Sequence, residues 1–251
     1  MKPMLIIILV ISVIGNVVGL FAIYKAFRYR EALSQFQAYN KNLANNFEAL
    51  KNDFPGALVY AADNHRLLAE LPAEERRNMT VMFGASITRG FDPEKYLPGK
   101  KIINRGVGSQ SNTQLLTRFS SDVLQLEPDR VVLKFCSGNF NPTCNVSTMW
   151  DEFETMALMA HHKGIGPMLA TILPATREAE HYDNYSMADN IKAFNEKIKN
   201  LASKYDFPVV DYHKALADSE GFLPDNLARD EIHPNEKGYE IMASVLSPLV
   251  D

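Results

Sequence analysis

The sequence of 251 residues contains little cysteine. Cys136 and Cys144 are the only two, which is too few for the disulfide framework of a small secreted domain. They form no C-x-x-C motif and no cluster with histidine, so no zinc site is expected. The two cysteines are close in the chain, and the sequence is compatible both with one local disulfide and with two buried thiols.

The sequence also lacks an excess of basic residues. It has 26 Lys and Arg against 30 Asp and Glu. Four of the basic residues and none of the acidic ones lie in residues 1–30, so residues 31–251 hold 22 basic and 30 acidic side chains, a formal charge of −8. This charge disfavours a nucleic-acid partner. Because 46% of the residues are hydrophobic, the chain can form a sizeable core and is not of the disordered class.

Charged residues are absent from residues 4–24, a run of 21 mostly apolar residues. As a helix this run would be about 31 Å long, the hydrocarbon thickness of a bilayer. We therefore predict a single-pass N-terminal anchor, with residues 1–30 forming the anchor and its basic flank. A cleaved signal peptide is the weaker alternative, because its apolar core is usually shorter and no small-x-small cleavage site follows the run. The positive charges after the run exceed those before it by one, which slightly favours a cytoplasmic domain.

The next segment, residues 31–78, is predicted to be a helical stalk or linker. Its apolar residues recur alternately three and four positions apart until Pro55 and Gly56 end the pattern. The members of this seam are Leu33, Phe36, Asn40, Leu43, Phe47, Leu50 and Phe54. Two interpretations stay open: a homodimer through a coiled coil over residues 33–54, or a helix that packs its apolar stripe on its own domain.

Residues 79–251 alternate short apolar runs with amphipathic stretches. The runs are rich in Val, Ile, Leu, Met and Phe, as buried parallel strands are. They lie at 80–83, 101–104, 130–135, 167–173 and 208–212. This alternation predicts a three-layer α/β/α sandwich with an open, mostly parallel, five-stranded sheet. Such sheets bind ligands beyond the carboxyl ends of their strands, so the residues that follow each strand are the candidates for chemistry.

Four segments at these positions carry polar residues suited to catalysis. Ser86 follows the first strand, a loop with Gly106 and Gly108 follows the second, and Asn139 follows the third. Asp230 stands three residues before His233, ahead of the last helix. Taken singly, each has an ordinary structural interpretation, as a helix cap, a flexible loop or a turn. The remaining histidines are scattered and suggest no metal site.

Together and in this order, the four segments resemble the blocks of the SGNH or GDSL family of serine hydrolases. The residues concerned are Gly84-Ala85-Ser86-Ile87, residues 104–111, Ser137-Gly138-Asn139-Phe140 and residues 230–233. The resemblance spans about residues 79–248 and implies a flavodoxin-like fold, ester hydrolysis without metal or cofactor, and a periplasmic or extracellular location.

The resemblance also assigns roles to residues. Ser86 is the expected nucleophile, His233 its general base, and Asp230 the carboxylate that orients the imidazole. The expected oxyanion hole consists of the backbone N–H of Ser86, a backbone N–H at Gly108 or Ser109, and the side-chain amide of Asn139.

Three departures from the family blocks lead us to expect weakened catalysis. Ala85 replaces the usual Asp, Ser109 replaces the usual Gly, and Ser137 and Phe140 flank Asn139 in place of Gly and Asp. If position 109 requires a positive φ, a serine there is strained.

Three functions remain open at this stage. The first is hydrolysis of an acetyl or short acyl ester of a carbohydrate or lipid. The second is acyl transfer from Ser86 to a sugar hydroxyl. The third is a binding or scaffold protein that kept the fold with weakened catalysis.

Overall fold

The computed structural model describes residues 2–250. Within its first helix, the side chains at positions 2, 5–7, 9–12, 14, 46, 49 and 50 are not described, so Leu50 of the predicted seam lies outside the described side chains. Met1 and Asp251, the outer limits of the predicted segments, also lie outside the described residues.

The chain forms two compact units, Met1–Asn52 and Asp53–Asp251. The first consists of a single helix, α1 (Lys2–Asn52). Helix formation over most of the seam agrees with the three-and-four spacing of its apolar residues, although α1 ends at Asn52, before Phe54 and the predicted stop at Pro55 and Gly56. The structure holds one chain, so the homodimer through residues 33–54 stays a prediction. So does the division at residues 30 and 78.

The predicted membrane anchor is wrong. Within the part of the chain that the structure describes, no helix combines the length and the apolar character that crossing a bilayer requires. Residues 4–24 are instead the first part of α1, which continues without a break through Lys25, Arg28 and Arg30. The predicted single-pass membrane localisation is corrected with it.

The second unit contains a five-stranded sheet in which every strand pair is parallel, which confirms the predicted α/β architecture. The strand order is β2-β1-β3-β4-β5. The strands are β1 (Thr80–Gly84), β2 (Ile102–Gly106), β3 (Arg130–Lys134), β4 (Gly166–Ala170) and β5 (Val209–Val210).

Helices of very different length connect these strands. Two precede the sheet, α2 (Leu58–Glu70) and α3 (Ala73–Arg76). Two short ones follow β1, α4 (Ser86–Arg89) and α5 (Pro93–Tyr96). The others are α6 (Asn112–Phe119), α7 (Val146–His162), α8 (Met187–Tyr205), α9 (Tyr212–Leu216) and α10 (Glu236–Leu246).

Helices cover the sheet on both faces. Alternate residues of each buried strand point to opposite sides, and both sets are mostly apolar, so each face packs against helices. Val131 and Leu133 belong to one core, and Val132 between them belongs to the other. The first core includes the apolar faces of α6, α7 and α8, and the second includes that of α10.

The order of the strands creates a crevice at the ends of β1 and β3. The chain moves from β1 to β2 on one side and later to β3 on the other, so the connections after β1 and β3 leave in opposite directions. Gly84 allows the two strand ends to approach closely, since a Cβ there would lie 2.5 Å from the carbonyl oxygen of Lys134. The segments that follow these strands therefore meet in one place.

Candidate active site

Ser86 and His233 are in hydrogen-bond contact at this crevice. Ser86 is the first residue of α4, directly beyond β1, and His233 precedes α10. The Oγ of Ser86 lies 2.8 Å from Nε2 of His233. Both residues are partly buried, so the pair is held by the fold and still reachable from solvent. This distance permits proton transfer from the hydroxyl to the imidazole.

Asp230 contacts the other ring nitrogen of His233. Its carboxylate oxygens lie 2.8 and 3.0 Å from Nδ1. Its Oδ1 also accepts hydrogen bonds from the backbone N–H groups of Ile232 and His233, at 3.2 and 2.9 Å. Partial burial works against ionisation, but these hydrogen bonds and the imidazole lower the pKa of Asp230 to about 2. An ionised carboxylate at Nδ1 directs the lone pair of Nε2 toward Ser86 when the ring is neutral.

Ser109, three residues beyond the end of β2, has a left-handed backbone, the conformation in which a serine is expected to be strained. Its φ is 60°, a region that favours glycine. The residue is exposed, and its backbone N–H makes no hydrogen bond to the described residues. Position 109 thus has a left-handed backbone and a free N–H donor, although it holds a serine. Gly108, the residue before it, is partly buried and does not have a positive φ.

Asn139 lies beyond β3, in the same crevice, but its amide is already engaged. Its Nδ2 donates to the carbonyl oxygen of Gln110 at 3.2 Å and to Oδ1 of Asn112 at 3.0 Å. The structure therefore brings Asn139 to the loop that carries Ser109. The side-chain N–H groups point into that loop before any substrate is bound.

The geometry unites the residues of all four predicted blocks at one edge of the sheet. A family model described as GDSL-like lipase/acylhydrolase matches residues 82–241, more than half of the chain. The chain belongs to the GDSL-like lipase/acylhydrolase family. The membership confirms the resemblance found in the sequence and classifies the protein as an esterase or acylhydrolase.

Solved structures support this placement of the GDSL-family protein. It is similar to a GDSL-like lipase from Bacteroides thetaiotaomicron, with 25% identity, a TM-score of 0.71, and coverage of 78% of this chain and 98% of that one. A proposed acylhydrolase from Bacteroides fragilis is 26% identical, with a TM-score of 0.69 and coverage of 78% and 96%. An acetyl xylan esterase shares the fold at 19% identity and a TM-score of 0.56, with coverage of 69% and 100%. No protein of curated function matches the sequence.

Several contacts around the site of this GDSL-family protein were not anticipated from the sequence. Cys136 is a free, buried thiol whose Sγ lies 3.6 Å from Oγ of Ser86, and Cys144 is also free. Asn112 and Gln110 hold Asn139, as described above. One signal was available: Ser111 and Gln114 have the spacing of a capping box, which fixes the start of α6 next to Asn112.

Proposed function

We propose that this GDSL-family protein hydrolyses carboxylic esters with Ser86 as nucleophile, His233 as general base and Asp230 as the residue that orients His233. The observation that carries the proposal is the continuous chain of contacts from Asp230 through the imidazole to Oγ of Ser86, with 2.8 Å at each link. A serine hydroxyl is a weak nucleophile unless a base takes its proton, and His233 is in position to take it.

The reaction follows from these positions. Oγ of Ser86 attacks the ester carbonyl as its proton passes to Nε2 of His233, and a tetrahedral oxyanion forms. The proposed donors to that oxyanion are the backbone N–H groups of Ser86 and Ser109 and the amide of Asn139. The intermediate collapses, the C–O bond to the alcohol breaks, and the alcohol leaves with the proton from His233. Water, deprotonated by His233, then attacks the acyl-serine, releases the acid and restores Ser86.

A short acyl group is the proposed substrate class, because side chains fill the space beside the nucleophile. Cys136 lies against Ser86. Ile232 lies over Gly138, where an added Cβ would be 2.7 Å from Cδ1 of Ile232 and 3.9 Å from Sγ of Cys136. Cys136 and Ile232 together form a wall beside the nucleophile. This wall favours an acetyl or similarly small acyl group, carried by the hydroxyl of a carbohydrate or lipid.

Hydrolysis of 4-nitrophenyl esters of two to eight acyl carbons by the full-length protein tests the proposal. We expect the highest kcat/KM with acetate. Ser86→Ala and His233→Ala should each abolish turnover, because the nucleophile and its base act as a unit. Ser244→Ala and His65→Ala are matched controls at exposed positions and should keep wild-type rates. Near wild-type turnover of Ser86→Ala or His233→Ala would overturn the assignment.

The wall itself is tested by Ile232→Ala. This variant should shift the preference toward longer acyl chains, with octanoate gaining relative to acetate. An unchanged chain-length profile would overturn the proposed wall and leave the catalytic residues unaffected.

A further inference from the structure

A segment that precedes the family-matched region contacts the loop of the proposed oxyanion hole. The oxyanion loop is defined here as residues 106–112, from the end of β2 to the start of α6. The contacting segment, residues 53–64, comprises the turn before α2 and the first half of that helix. It lies outside the matched residues 82–241. Nothing in the reaction described above uses it.

Tyr60 makes the first of these contacts. Its hydroxyl donates to the carbonyl oxygen of Gly106 at 2.6 Å, at the point where the oxyanion loop begins. The guanidinium of Arg105 lies over the Tyr60 ring, 4.7 Å from the centroid. Arg105 is itself held by Asp63 and Asn64 of α2, at 2.6 and 2.8 Å. Helix α2 thus fixes both the strand end and the first carbonyl of the loop.

Gln110 makes the second contact, in the middle of the loop. Its buried side chain donates from Nε2 to the carbonyl oxygen of Pro55 at 2.6 Å. Gly56 next to it has a φ of 68°, and a Cβ there would lie 2.6 Å from the same Nε2 atom. The turn before α2 is therefore shaped to receive this amide. Since the backbone carbonyl of Gln110 accepts from Asn139, fixing Gln110 also fixes an oxyanion donor.

Arg118 connects this loop to the strand that carries the nucleophile. The side chain is fully buried on α6. It donates to Oε1 of Gln110 at 2.6 Å and to the carbonyl oxygen of Gly84 at 2.8 Å, two residues before Ser86. A buried charge is tolerated when it is paired, and here Asp122 accepts from Arg118 at 2.6 Å. Asp122 also accepts from Asn64 at 2.7 Å, so the network returns to α2.

We infer that residues 53–64 brace the oxyanion loop, with Tyr60 and Gln110 acting as positioning residues for the donors at Ser109 and Asn139. This inference rests on the proposed function. The brace matters because Ser109 holds a left-handed backbone that a serine does not favour by itself. Contacts on both sides of position 109, at Gly106 and Gln110, keep its N–H directed into the crevice.

The test uses two variants of the full-length protein, Tyr60→Phe and Gln110→Ala. Each should lower kcat for 4-nitrophenyl acetate about tenfold and change KM by less than about twofold, because a displaced donor weakens transition-state binding rather than substrate binding. His65→Ala is the matched control, an exposed residue of α2 that should keep wild-type kcat. Amide hydrogen exchange supplies a readout independent of activity. Peptides that cover residues 106–112 should exchange faster in Tyr60→Phe, while those that cover β3 should not.

Two results would overturn the brace. One is wild-type kcat in both variants, and a lower melting temperature beside it would make the contacts purely stabilising. The other is a lower kcat in both variants with unchanged exchange at residues 106–112 in Tyr60→Phe, which would show that the loop is not what the contacts hold. Failure of the proposed function has a different signature, namely hydrolysis that survives Ser86→Ala. In that case faster exchange of residues 106–112 still supports the brace, and unchanged exchange overturns it.

Discussion

The amide of Asn139 is bound to Asn112 before any substrate arrives, with Nδ2 3.0 Å from Oδ1. The same nitrogen donates to the carbonyl oxygen of Gln110 at 3.2 Å, so both of its hydrogens are engaged. An oxyanion must therefore share one of these N–H groups with its present acceptor. This arrangement holds the amide in a fixed orientation, which reduces the reorganisation needed during the reaction.

We predict that Asn139→Ala lowers kcat by about 100- to 1,000-fold with little change in KM, as loss of a donor used in the transition state requires. Asn112→Ala should lower kcat less, by about tenfold, because it only frees the orientation of the Asn139 amide. Steady-state kinetics with 4-nitrophenyl acetate measures both. Equal losses in the two variants would show that orientation, and not the donor itself, accounts for the effect.

Ser109→Gly should leave kcat intact or raise it. The substitution removes a hydroxyl and relieves a φ of 60°, so the free energy of unfolding should rise by up to about 1 kcal/mol. Glu127 has a φ of 50° outside the site, so Glu127→Gly is a control that should gain similar stability with unchanged kcat. Urea titration measures the stability of both variants, Ser109→Gly and Glu127→Gly, and steady-state kinetics measures their kcat. Loss of activity in Ser109→Gly together with an active Asn139→Ala would make the serine hydroxyl catalytic and our assignment of the two loops wrong.

The sequence predicted the sheet because its elements depend on local signals, whereas the meeting of Ser86 with His233 was implied by the resemblance to the family blocks. Strands of apolar residues alternate with amphipathic helices, and the ends of parallel strands share one edge. The support of the site depends instead on contacts distant in sequence. Arg118 and Asp122, four residues apart, have the spacing of an ordinary exposed ion pair on a helix. Contacts that are distant in sequence, from Gly84 to Arg118 and from Asn64 of α2 to Asp122, leave both side chains fully buried.

The N-terminal prediction failed for a related reason. The prediction depended on the absence of charge over residues 4–24, but among the described residues no helix is both long enough and apolar enough to cross a bilayer. Likewise, no pattern in residues 53–64 indicated that Tyr60 and Pro55 contact the loop after β2, because those contacts join residues about 50 positions apart.

Asp230→Asn should lower kcat by about 100-fold. Replacement of a buried triad carboxylate costs about 10⁴-fold, and the smaller loss is expected because Asp230 is 46% exposed and water can solvate the imidazolium. Because the pKa of Asp230 is about 2, its carboxylate is ionised above about pH 4, so the loss should be present throughout the pH range in which the wild type is active. A pH–rate profile measures this.

The stability effect of Asp230 has a defined direction. Its folded pKa is below the ordinary value of 3.8, so its contribution to stability is present above pH 3.8 and is lost as the pH falls toward 2. For activity, a loss of kcat in Asp230→Asn that appears only above pH 5 would contradict the low pKa of Asp230. Arg229→Gln is a control for the loss of kcat. Arg229 contacts the same carboxylate at 3.3 Å but does not contact the His233 side chain, so this variant should keep wild-type kcat.

Lys134→Met should stabilise the protein. Lys134 ends β3, is 2% exposed and has no carboxylate partner among the described residues, and its Nζ donates only to the carbonyl oxygen of Phe135 at 2.9 Å. Burial lowers its pKa to about 8 from 10.5, so below pH 8 folding carries the cost of a buried ammonium. At about 1.4 kcal/mol for each pKa unit, removal of that cost should raise the free energy of unfolding at pH 7 by up to about 3.5 kcal/mol.

The pH dependence distinguishes this cause from better packing. Between pH 8 and 10.5 the unfolded chain binds a proton at Lys134 that the folded chain does not, so the stability of the wild type rises with pH over this interval. The advantage of Lys134→Met over the wild type should therefore shrink from pH 8 upward and disappear near pH 10.5. Urea titrations at several pH values measure it, with Lys101→Met as the exposed control, which should change stability by less than about 0.5 kcal/mol. An advantage that persists undiminished at pH 10.5 would assign the gain to methionine packing instead of to the buried charge.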